Sequence, residues 1–252
     1  MSQKIDRTGE VSYTKYGTKA TILDYINYKK ILVEFDDEYK YQYYTSYGNF
    51  KRGQLTNPYE RRNKNSIGFI GVGKYNSKEH KLAYGKWSAI LQRCVKTDYS
   101  DLSLVSYKGC NVCKEWMNFQ NFAEWFYTHY YECNEPLCVD KDILVHGNKL
   151  YSPETCLLVP QRINLLFIKE KGRRGGTLIG AQSHDDGNNY ISMLSTLNGY
   201  KYLGTFNNEE DAFMAYKAAK EEYIKQVADE YKSIIPETVY RAMYGYEILK
   251  TD

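Results

Sequence analysis

The chain lacks the features that direct a protein into a membrane or an oxidising compartment. It contains no run of about 18 apolar residues, so no membrane-spanning helix is expected. The opening residues, MSQKIDRTGEVSY, carry no apolar core of the kind found in secretory signal peptides. We therefore expect a cytoplasmic protein in which the six cysteines are thiols or metal ligands rather than disulfides.

A strong charge of either sign is also absent. The net charge is +3 for 252 residues, which permits nucleic acid as a partner but does not by itself argue for it. Tyrosine is abundant instead, with 27 residues against only 5 prolines. Tyrosine suits half-buried sheet surfaces and stacking on nucleic-acid bases, although an AT-rich gene would account for the larger share of the excess.

Residues 1–62 predict a small domain of short strands. The runs KATILDYI, KKILVEFDD and YKYQYYTSY are rich in β-branched and aromatic residues, with turns at Asn27 and at residues 36–38 between them. Several short strands close together indicate a small β-barrel of the SH3 or Tudor kind.

Residues 63–170 predict helices and a β-hairpin. Apolar residues fall on one helical face, at i, i+3, i+4 and i+7, in two places. The first set is Trp87, Ile90, Leu91 and Cys94, and the second is Phe119, Phe122, Ala123 and Phe126. Both faces are expected to pack in a core.

Residues 171–252 begin with a basic linker, KGRRGG, and continue with three strand candidates, TLIGAQS, NYISMLST and YKYLGTF. Asn198-Gly199, between the last two, is a strong hairpin signal. A helix follows, with Asn207 as its expected cap. Its apolar stripe is Ala212, Tyr216, Ala219, Tyr223 and Val227. The prediction is a three-stranded antiparallel sheet covered by one helix, with further helical sequence at the C-terminal end.

This last segment resembles the plant ethylene-response-factor (Apetala) type of DNA-binding domain. The match is carried by Gly180, Tyr190, YLGTF at residues 202–206 and EEDAFMAYKAAK at residues 209–220. In that family the sheet lies in the major groove and the helix braces it from behind. The resemblance, combined with strand alternation, implies DNA contacts by Gln182, His184, Ser192 and Lys201, and phosphate contacts by the linker residues Arg173 and Arg174.

The middle segment resembles the HNH-type nucleases encoded by phages. The pattern is a helix with Trp87, Arg93 and Cys94, then CNVCKEWMNFQNFAEWF at residues 110–126, then VDKDILVHGNKLYSPETCLLVPQRIN at residues 139–164. Such phage proteins often begin with a small β domain and end with the Apetala-type module, so the order of all three parts agrees. The resemblance implies a ββα-metal nuclease that acts on double-stranded DNA in the cytoplasm of a bacterial host.

Within the ββα-metal pattern, residues 139–143 match the first strand, residues 155–159 match the return strand, and Pro160 begins the helix. The resemblance makes Asp140 and the helix residue Asn164 metal ligands. Asp142 is a further oxygen ligand, and Arg162 of the same helix is a candidate DNA contact. Oxygen ligands suit one Mg²⁺ or Mn²⁺ ion rather than zinc.

Lys141 departs from the family, because HNH nucleases carry a catalytic histidine at this position. An ammonium group is protonated at pH 7 and accepts no proton unless burial drives it to the neutral form. Three rescues stay open: Asp142 acts as the base, Lys141 stabilises the phosphate while water or hydroxide attacks, or His146 acts as the base. For His146, however, we expect a solvent-exposed position in the turn at residues 146–149.

The cysteines offer a second metal pattern. Cys110 and Cys113 form a CxxC motif, and Cys133 and Cys138 follow it, an arrangement that recurs in zinc sites. The second pair is separated by four residues rather than two, and Cys138 lies in an apolar run. Buried thiols are therefore expected in place of a zinc site.

These patterns support three functions. The first is a Mg²⁺- or Mn²⁺-dependent endonuclease, a hydrolase of phosphodiester bonds that nicks or cuts duplex DNA. The second is a catalytically inactive DNA-binding protein built on the same scaffold. The third is a phage factor that binds a host protein through its tyrosine-rich N-terminal domain.

Overall fold

The α+β class predicted from the sequence is confirmed. The computed structural model describes residues 5–60, 67–95, 107–168, 176–183 and 189–252. Within these ranges the chain forms four small sheets and six α-helices. None of the described helices is both long enough and apolar enough to cross a membrane.

The chain divides into two compact units. The first comprises Met1–Leu91 and Lys114–Glu124, and the second comprises Gln92–Cys113 and Trp125–Asp252. The three-domain division of the sequence, with boundaries after residues 62 and 170, stays a prediction.

The first unit contains a four-stranded antiparallel sheet. Its strands are β1 (Val11–Tyr13), β2 (Lys19–Asn27), β3 (Lys30–Phe35) and β4 (Gln42–Thr45). The turn between β2 and β3 is stabilised by Asn27, whose Oδ1 accepts hydrogen bonds from the backbone N–H groups of Lys29 and Lys30. The predicted strands and this turn are confirmed.

This sheet is open. Because its strands pair in chain order, β1 and β4 are edge strands within the described residues, and the predicted closed barrel of the SH3 or Tudor kind is not confirmed. The short helix α1 (Tyr47–Lys51) follows β4 and begins at the N-cap Ser46. The core of this unit's sheet is Ala20, Ile22, Ile31, Val33, Phe35, Tyr47, Phe50 and Leu55.

Two helices carry the apolar faces predicted around Trp87 and Phe119. Helix α2 spans Lys81–Val95, and helix α3 spans Phe119–Thr128. In the first unit, Trp87 donates its indole N–H to the carbonyl oxygen of Trp116 at 2.6 Å, and its ring lies 5.3 Å from the ring of Phe119. The helical spacing is therefore confirmed at both places.

The second unit contains the predicted hairpin and the helix that follows it. Strand β6 (Leu137–Asp140) pairs antiparallel with the strand Leu157–Pro160, which is β8 in chain order. Helix α4 (Gln161–Leu166) starts directly after β8, with Pro160 at its N-cap. The strand–strand–helix order that the HNH resemblance implies is thus present in the chain.

The first strand of this hairpin is shorter than predicted. It ends at Asp140 rather than continuing to residue 143, because the Asp140 side chain bonds to the backbone just beyond it. Between β6 and β8, the strand β7 (Leu150–Tyr151) pairs in parallel with β5 (Asn111–Val112).

The C-terminal part of the second unit is a three-stranded antiparallel sheet with a long helix, as predicted. The strands are β9 (Ala181–Ser183), β10 (Tyr190–Thr196) and β11 (Gly199–Phe206), in the order β11-β10-β9. Helix α5 (Glu209–Tyr231) packs on the sheet, and α6 (Glu237–Tyr244) packs on α5.

Helix α5 begins one residue later than predicted and buries a wider stripe. Its N-cap is Asn208 rather than Asn207, and the Asn208 Oδ1 accepts the backbone N–H of Asp211 at 2.8 Å. Two consecutive asparagines leave this choice open in the sequence. The stripe is wider because α5 covers the sheet and also packs on α6. Its buried residues are Ala212, Phe213, Lys220, Ile224, Val227, Ala228 and Tyr231.

Candidate active site

The carboxylate at the end of β6 is held in a tight turn. Oδ1 of Asp140 accepts hydrogen bonds from the backbone N–H groups of Asp142 and Ile143, each at 2.8 Å. Burial raises the pKa of Asp140, and the two backbone N–H groups and the nearby charge of Lys141 oppose that shift. Within the described residues Asp140 has no cationic partner in an ion pair.

The lysine at the predicted general-base position is buried and ion-paired. Its side chain is 6% exposed, and Nζ of Lys141 donates to Oδ2 of Asp142 at 2.6 Å and to the carbonyl oxygen of Asn148 at 2.8 Å. In both contacts Nζ is the hydrogen-bond donor. The geometry therefore gives Lys141 the role of a donor that holds the turn rather than that of a proton acceptor.

Asn148 ties the two ends of the intervening turn together. Its Nδ2 donates to the carbonyl oxygens of Lys141 at 2.9 Å and Leu150 at 2.7 Å, and its Oδ1 accepts the N–H of Leu150 at 2.9 Å. The side chain of Asn148 therefore stabilises this turn through its bonds with the backbone. The result is a rigid frame around Lys141 and Asp142.

His146 is not the solvent-exposed turn residue expected from the sequence. Its Nε2 forms a short contact with Oδ1 of Asp252, and its side chain is 27% exposed. The Asp252 side chain is only 2% exposed, and its Oδ2 accepts the backbone N–H of Leu249 at 2.9 Å. This pairing corrects the expectation, because a segment 106 residues further along the chain covers the turn.

Tyr246 brings this pair close to the hairpin carboxylates. Its ring centroid lies 5.4 Å from that of His146 and 4.6 Å from that of Phe167. Burial raises the pKa of Tyr246 first of all, and the nearby carboxylates of Asp252, Asp142 and Asp140 add to the rise. The charges of three carboxylates thus act on this phenol.

Sequence reasoning missed both Tyr246 and Asp252. Neither residue lies in a motif, and nothing in their local spacing connects them to the hairpin. They approach it only because α5 and α6 return the chain to this side of the unit, where Tyr246 and Ile248 join the core that contains Ile143.

The predicted ligands fit a hard divalent cation by their chemistry. Asn164 lies half-buried in α4, and its side chain makes no hydrogen bond with the described residues. Within the described ranges, no group of three or more His, Cys, Asp or Glu side chains is arranged to hold a metal ion. Mg²⁺ is usually held by one or two carboxylates together with substrate phosphates and waters. The half-buried Asp140, which has no cationic ion-pair partner among the described residues, and the amide oxygen of Asn164 meet this description.

Arg162 is engaged within the protein. Its guanidinium lies 2.7 Å from Oε2 of Glu230 and 5.4 Å from the ring centroid of Tyr231, and its backbone N–H donates to Glu135. Burial alone would lower the pKa of Arg162, but hydrogen bonds with Glu230 and Tyr231 raise it overall. The side chain thus joins α4 to α5, and its predicted role as a DNA contact stays a prediction.

The predicted DNA contacts of the C-terminal sheet fall on different faces. Gln182 is exposed in β9, whereas Ser192 of β10 is completely buried on the side that faces α5. Lys201 is exposed on the edge strand β11. It pairs with Leu194 of β10, so its side chain lies on the face of the sheet that α5 covers. Arg173, Arg174 and His184 lie outside the described residues.

The outward face of this sheet is aromatic. Tyr200 is 79% exposed and Tyr202 is 60% exposed, and they pair with Ser195 and Met193 of β10. The sequence prediction placed Ser192 on the outward face of the sheet, but in the structure its neighbours in the strand face outward. The exposed Tyr200 and Tyr202 were therefore not predicted as DNA contacts. Leu194 is buried, which shows that Leu194 and Ser192 belong to the set of alternate β10 residues that face α5.

The cysteines behave as buried or half-buried thiols. No disulfide joins any of the six, all of which are described, and Cys110 and Cys156 are buried. Burial raises the pKa of Cys94 and of Cys156 to about 12 in each case. Thiols with pKa values raised in this way are poor nucleophiles at neutral pH.

Comparison of the chain with known protein families, with curated proteins and with solved structures gave no match. The HNH and Apetala-type resemblances therefore rest on the sequence motifs of the chain alone.

Proposed function

We propose that the chain is a Mg²⁺- or Mn²⁺-dependent DNA endonuclease of the HNH type, of phage or prophage origin. The observation that carries the proposal is the hairpin β6–β8 followed directly by α4, with Asp140 at the end of its first strand and Asn164 in the helix. A strand–strand–helix unit with these two oxygen donors is the ββα-metal pattern. We propose duplex DNA in a bacterial cytoplasm as the substrate.

Asp140 and Asn164 would hold the cation, and Asp142 stands beside them as a further oxygen donor. When bound, the cation supplies a Lewis acid that stabilises negative charge on the phosphate and on the leaving oxygen. The raised pKa of Asp140 supports its role, because burial penalises a lone carboxylate and an adjacent cation removes that penalty.

Lys141 contributes position and charge in this proposal. Its ammonium holds Asp142 and the carbonyl oxygen of Asn148, which keeps the turn in one conformation. A fixed positive charge beside the site favours an approaching phosphate. The base that activates water must then be a different group.

DNA positioning is proposed for the C-terminal sheet. Tyr200 and Tyr202 stand out from its exposed face, and Gln182 lies on the strand beyond β10. Aromatic rings stack on bases, and amides form hydrogen bonds with base edges.

A supercoiled-plasmid assay with Mg²⁺ or Mn²⁺ tests the proposal. We expect the wild type to produce nicked circles or linear DNA, and we expect Asp140→Ala and Asn164→Ala to lose this activity. Asp24→Ala, at an exposed position in β2 of the first unit, is the matched control and should cleave normally.

The ion-paired Lys141 favours one alternative, a nuclease-derived protein that binds DNA without cutting it, because no proton acceptor occupies the usual position. Salt-sensitive DNA binding without cleavage under either metal would support that alternative. Absence of any DNA binding would favour a phage factor that binds a host protein through the N-terminal sheet.

A further inference from the structure

We infer that His146 is the proton acceptor of this site and that Asp252 is its positioning residue. The inference rests on the proposed nuclease function and supplies the base that Lys141 cannot provide. It assigns a role to a residue at the far end of the second unit that no motif identifies.

The first support is the geometry of the pair. Nε2 of His146 contacts Oδ1 of Asp252, and the other oxygen of this carboxylate accepts the backbone N–H of Leu249 at 2.9 Å. Asp252 also donates its own backbone N–H to the carbonyl oxygen of Leu249 at 3.0 Å. The carboxylate is therefore held in place before it meets the imidazole.

The second support is the contrast in burial between the partners. The Asp252 side chain is 2% exposed, and the His146 side chain is 27% exposed. A buried carboxylate beside a partly exposed imidazole is the arrangement that orients a base towards a substrate. A contact that only stabilised the fold would not require the His146 ring to be accessible.

The tautomer follows from the contact. In the neutral ring, the hydrogen on Nε2 is donated to the Asp252 carboxylate, so the lone pair lies on Nδ1. Nδ1 is therefore the atom that would accept a proton, and the carboxylate stabilises the imidazolium that results.

The third support is the position of the pair relative to the hairpin. The Tyr246 ring lies 5.4 Å from His146, and the carboxylates of Asp140 and Asp142 are near enough to contribute to the raised pKa of the Tyr246 phenol, which burial dominates. The Asp252 carboxylate and the Tyr246 phenol lie next to His146, and the charges of Asp142 and Asp140 act on that phenol. Tyr246 therefore connects the His146–Asp252 pair to the carboxylates of the hairpin.

The chemical step is a hydrolysis. The oxygen of a water molecule forms a bond to phosphorus, and one of its protons moves to Nδ1 of His146. The bond between phosphorus and the leaving sugar oxygen breaks, and the departing oxygen takes a proton from solvent. His146 then returns its proton to solvent.

The test uses the full chain with His146→Ala, His146→Gln, Asp252→Asn and Asp252→Glu, and with His129→Ala as an exposed-histidine control. We expect plasmid nicking to fall on the order of 100-fold or more for both His146 variants, which is the usual contribution of a general base. His146→Gln keeps a hydrogen-bond donor to Asp252, so it separates the loss of a base from a loss of folding. Added imidazole should restore part of the activity of His146→Ala, which a merely structural role would not allow.

Asp252→Asn should lower nicking by about 100-fold through misplacement of the ring, and Asp252→Glu should recover part of it. A readout that does not depend on cleavage is the nitrogen NMR spectrum of the His146 ring, with and without Mg²⁺. We expect the Nε2–H tautomer in the wild type and a mixture in Asp252→Asn.

The outcomes separate this inference from the function on which it rests. Normal nicking by His146→Gln, with cleavage still dependent on Asp140, overturns the inference and leaves the nuclease proposal in place. Absence of nicking by the wild type overturns the nuclease proposal and the catalytic role of His146 together. A third outcome combines three results: His146→Ala loses nicking, added imidazole does not restore it, and Asp252→Asn keeps the wild-type tautomer. In that case the pair is only a structural contact and the inference is overturned.

Discussion

The Nζ atom of Lys141 lies 2.6 Å from Oδ2 of Asp142, and the lysine side chain is 6% exposed while the aspartate is 32% exposed. The buried ammonium of Lys141 donates hydrogen bonds to a carboxylate and to a carbonyl oxygen. These bonds give Lys141 a structural role in the site. The departure from the HNH pattern at this position therefore has a structural explanation. Lys141, which stands where the HNH resemblance implies an imidazole, holds the turn that carries Asp142.

Removal of the Lys141 charge should destabilise the protein. Lys141→Met leaves the Asp142 carboxylate and the Asn148 carbonyl oxygen without their partner, and we expect the free energy of unfolding to fall by about 2–4 kcal/mol. Chemical denaturation measures this change. Lys250→Met is the control, because Lys250 and Glu210 form a pair of similar length in which both side chains are about half exposed. That substitution should cost less than about 1 kcal/mol. Equal effects of the two substitutions would contradict the assignment of a structural role to Lys141.

Asp140 should make the stability of the metal-free protein decrease as the pH rises. Its pKa is raised in the folded state by burial, so between the ordinary value for aspartate and the raised value the folded state binds more protons than the unfolded state. Stability is therefore greatest below the ordinary value and falls as the pH passes through the raised value. Asp140→Asn keeps an oxygen for the two backbone N–H groups and should be more stable than the wild type at pH 7, with no difference in acid. A wild type as stable as Asp140→Asn at pH 7 would show that the carboxylate carries no burial penalty.

Mg²⁺ should stabilise the wild type but not Asp140→Asn. At a concentration ten times its dissociation constant, a ligand that binds only the folded state adds about 1.4 kcal/mol to the free energy of unfolding. Denaturation with and without Mg²⁺ tests the proposed ligand independently of any cleavage. An equal response of the two proteins would place the cation elsewhere.

Lys220 should limit stability at neutral pH. It is 8% exposed in α5, and burial lowers its pKa to about 8. Because the unfolded state binds more protons between that value and about 10.4, stability should rise with pH across this window. Lys220→Met should abolish the rise and add roughly 2–4 kcal/mol at pH 7, at 1.36 kcal/mol for each unit of pKa. Lys225→Met, at a more exposed position of the same helix, should leave the pH dependence intact.

Gly180 should tolerate no side chain where the sheet meets α5. Its φ is +76°, and a Cβ atom would lie 2.0 Å from Cγ of Tyr216. Gly199 has a φ of +103°, but a Cβ atom there would meet open space. Both alanine substitutions incur backbone strain of about 1–2 kcal/mol, and Gly180→Ala should cost about 1–3 kcal/mol more through overpacking. Denaturation midpoints that agree for the two variants would mean that the helix and sheet separate easily at this point.

Ser192 should contribute nothing to DNA binding. Its side chain is completely buried, and its Oγ makes no hydrogen bond with any residue that the structure describes. Ser192→Ala should raise the free energy of unfolding by about 1 kcal/mol, since an unsatisfied hydroxyl is removed, and should leave DNA affinity unchanged. Tyr200→Ala and Gln182→Ala, on exposed positions of the same sheet, should weaken DNA binding in a gel-shift titration. Weaker binding by Ser192→Ala alone would place the DNA-facing surface on the other side of the sheet.

Much of the fold could be predicted from local sequence because its signals are local. The apolar spacing around Trp87 and Phe119 identified two helices, and Asn198-Gly199 identified a hairpin, since periodicity and turn chemistry act within a few residues. The hairpin at Asp140 and the helix with Asn164 were also predicted, although the strand ended early where the Asp140 side chain captured the backbone. The closed N-terminal barrel was not confirmed, because strand order and closure depend on contacts between distant strands.

The candidate site was predicted only in part, for the same physical reason. Local sequence was enough to place Asp140, Lys141, Asp142 and Asn164 on one strand–strand–helix unit. Tertiary packing supplied the partners of two other candidate residues from distant parts of the chain: Glu230 for Arg162, and Asp252 for His146. Packing on α5 also determines which face of the sheet is buried. It buries Ser192 and leaves Tyr200 and Tyr202 exposed on the other face. Composition and spacing determine which groups a segment carries, but the burial and pairing that give those groups their chemistry arise only when the chain returns on itself.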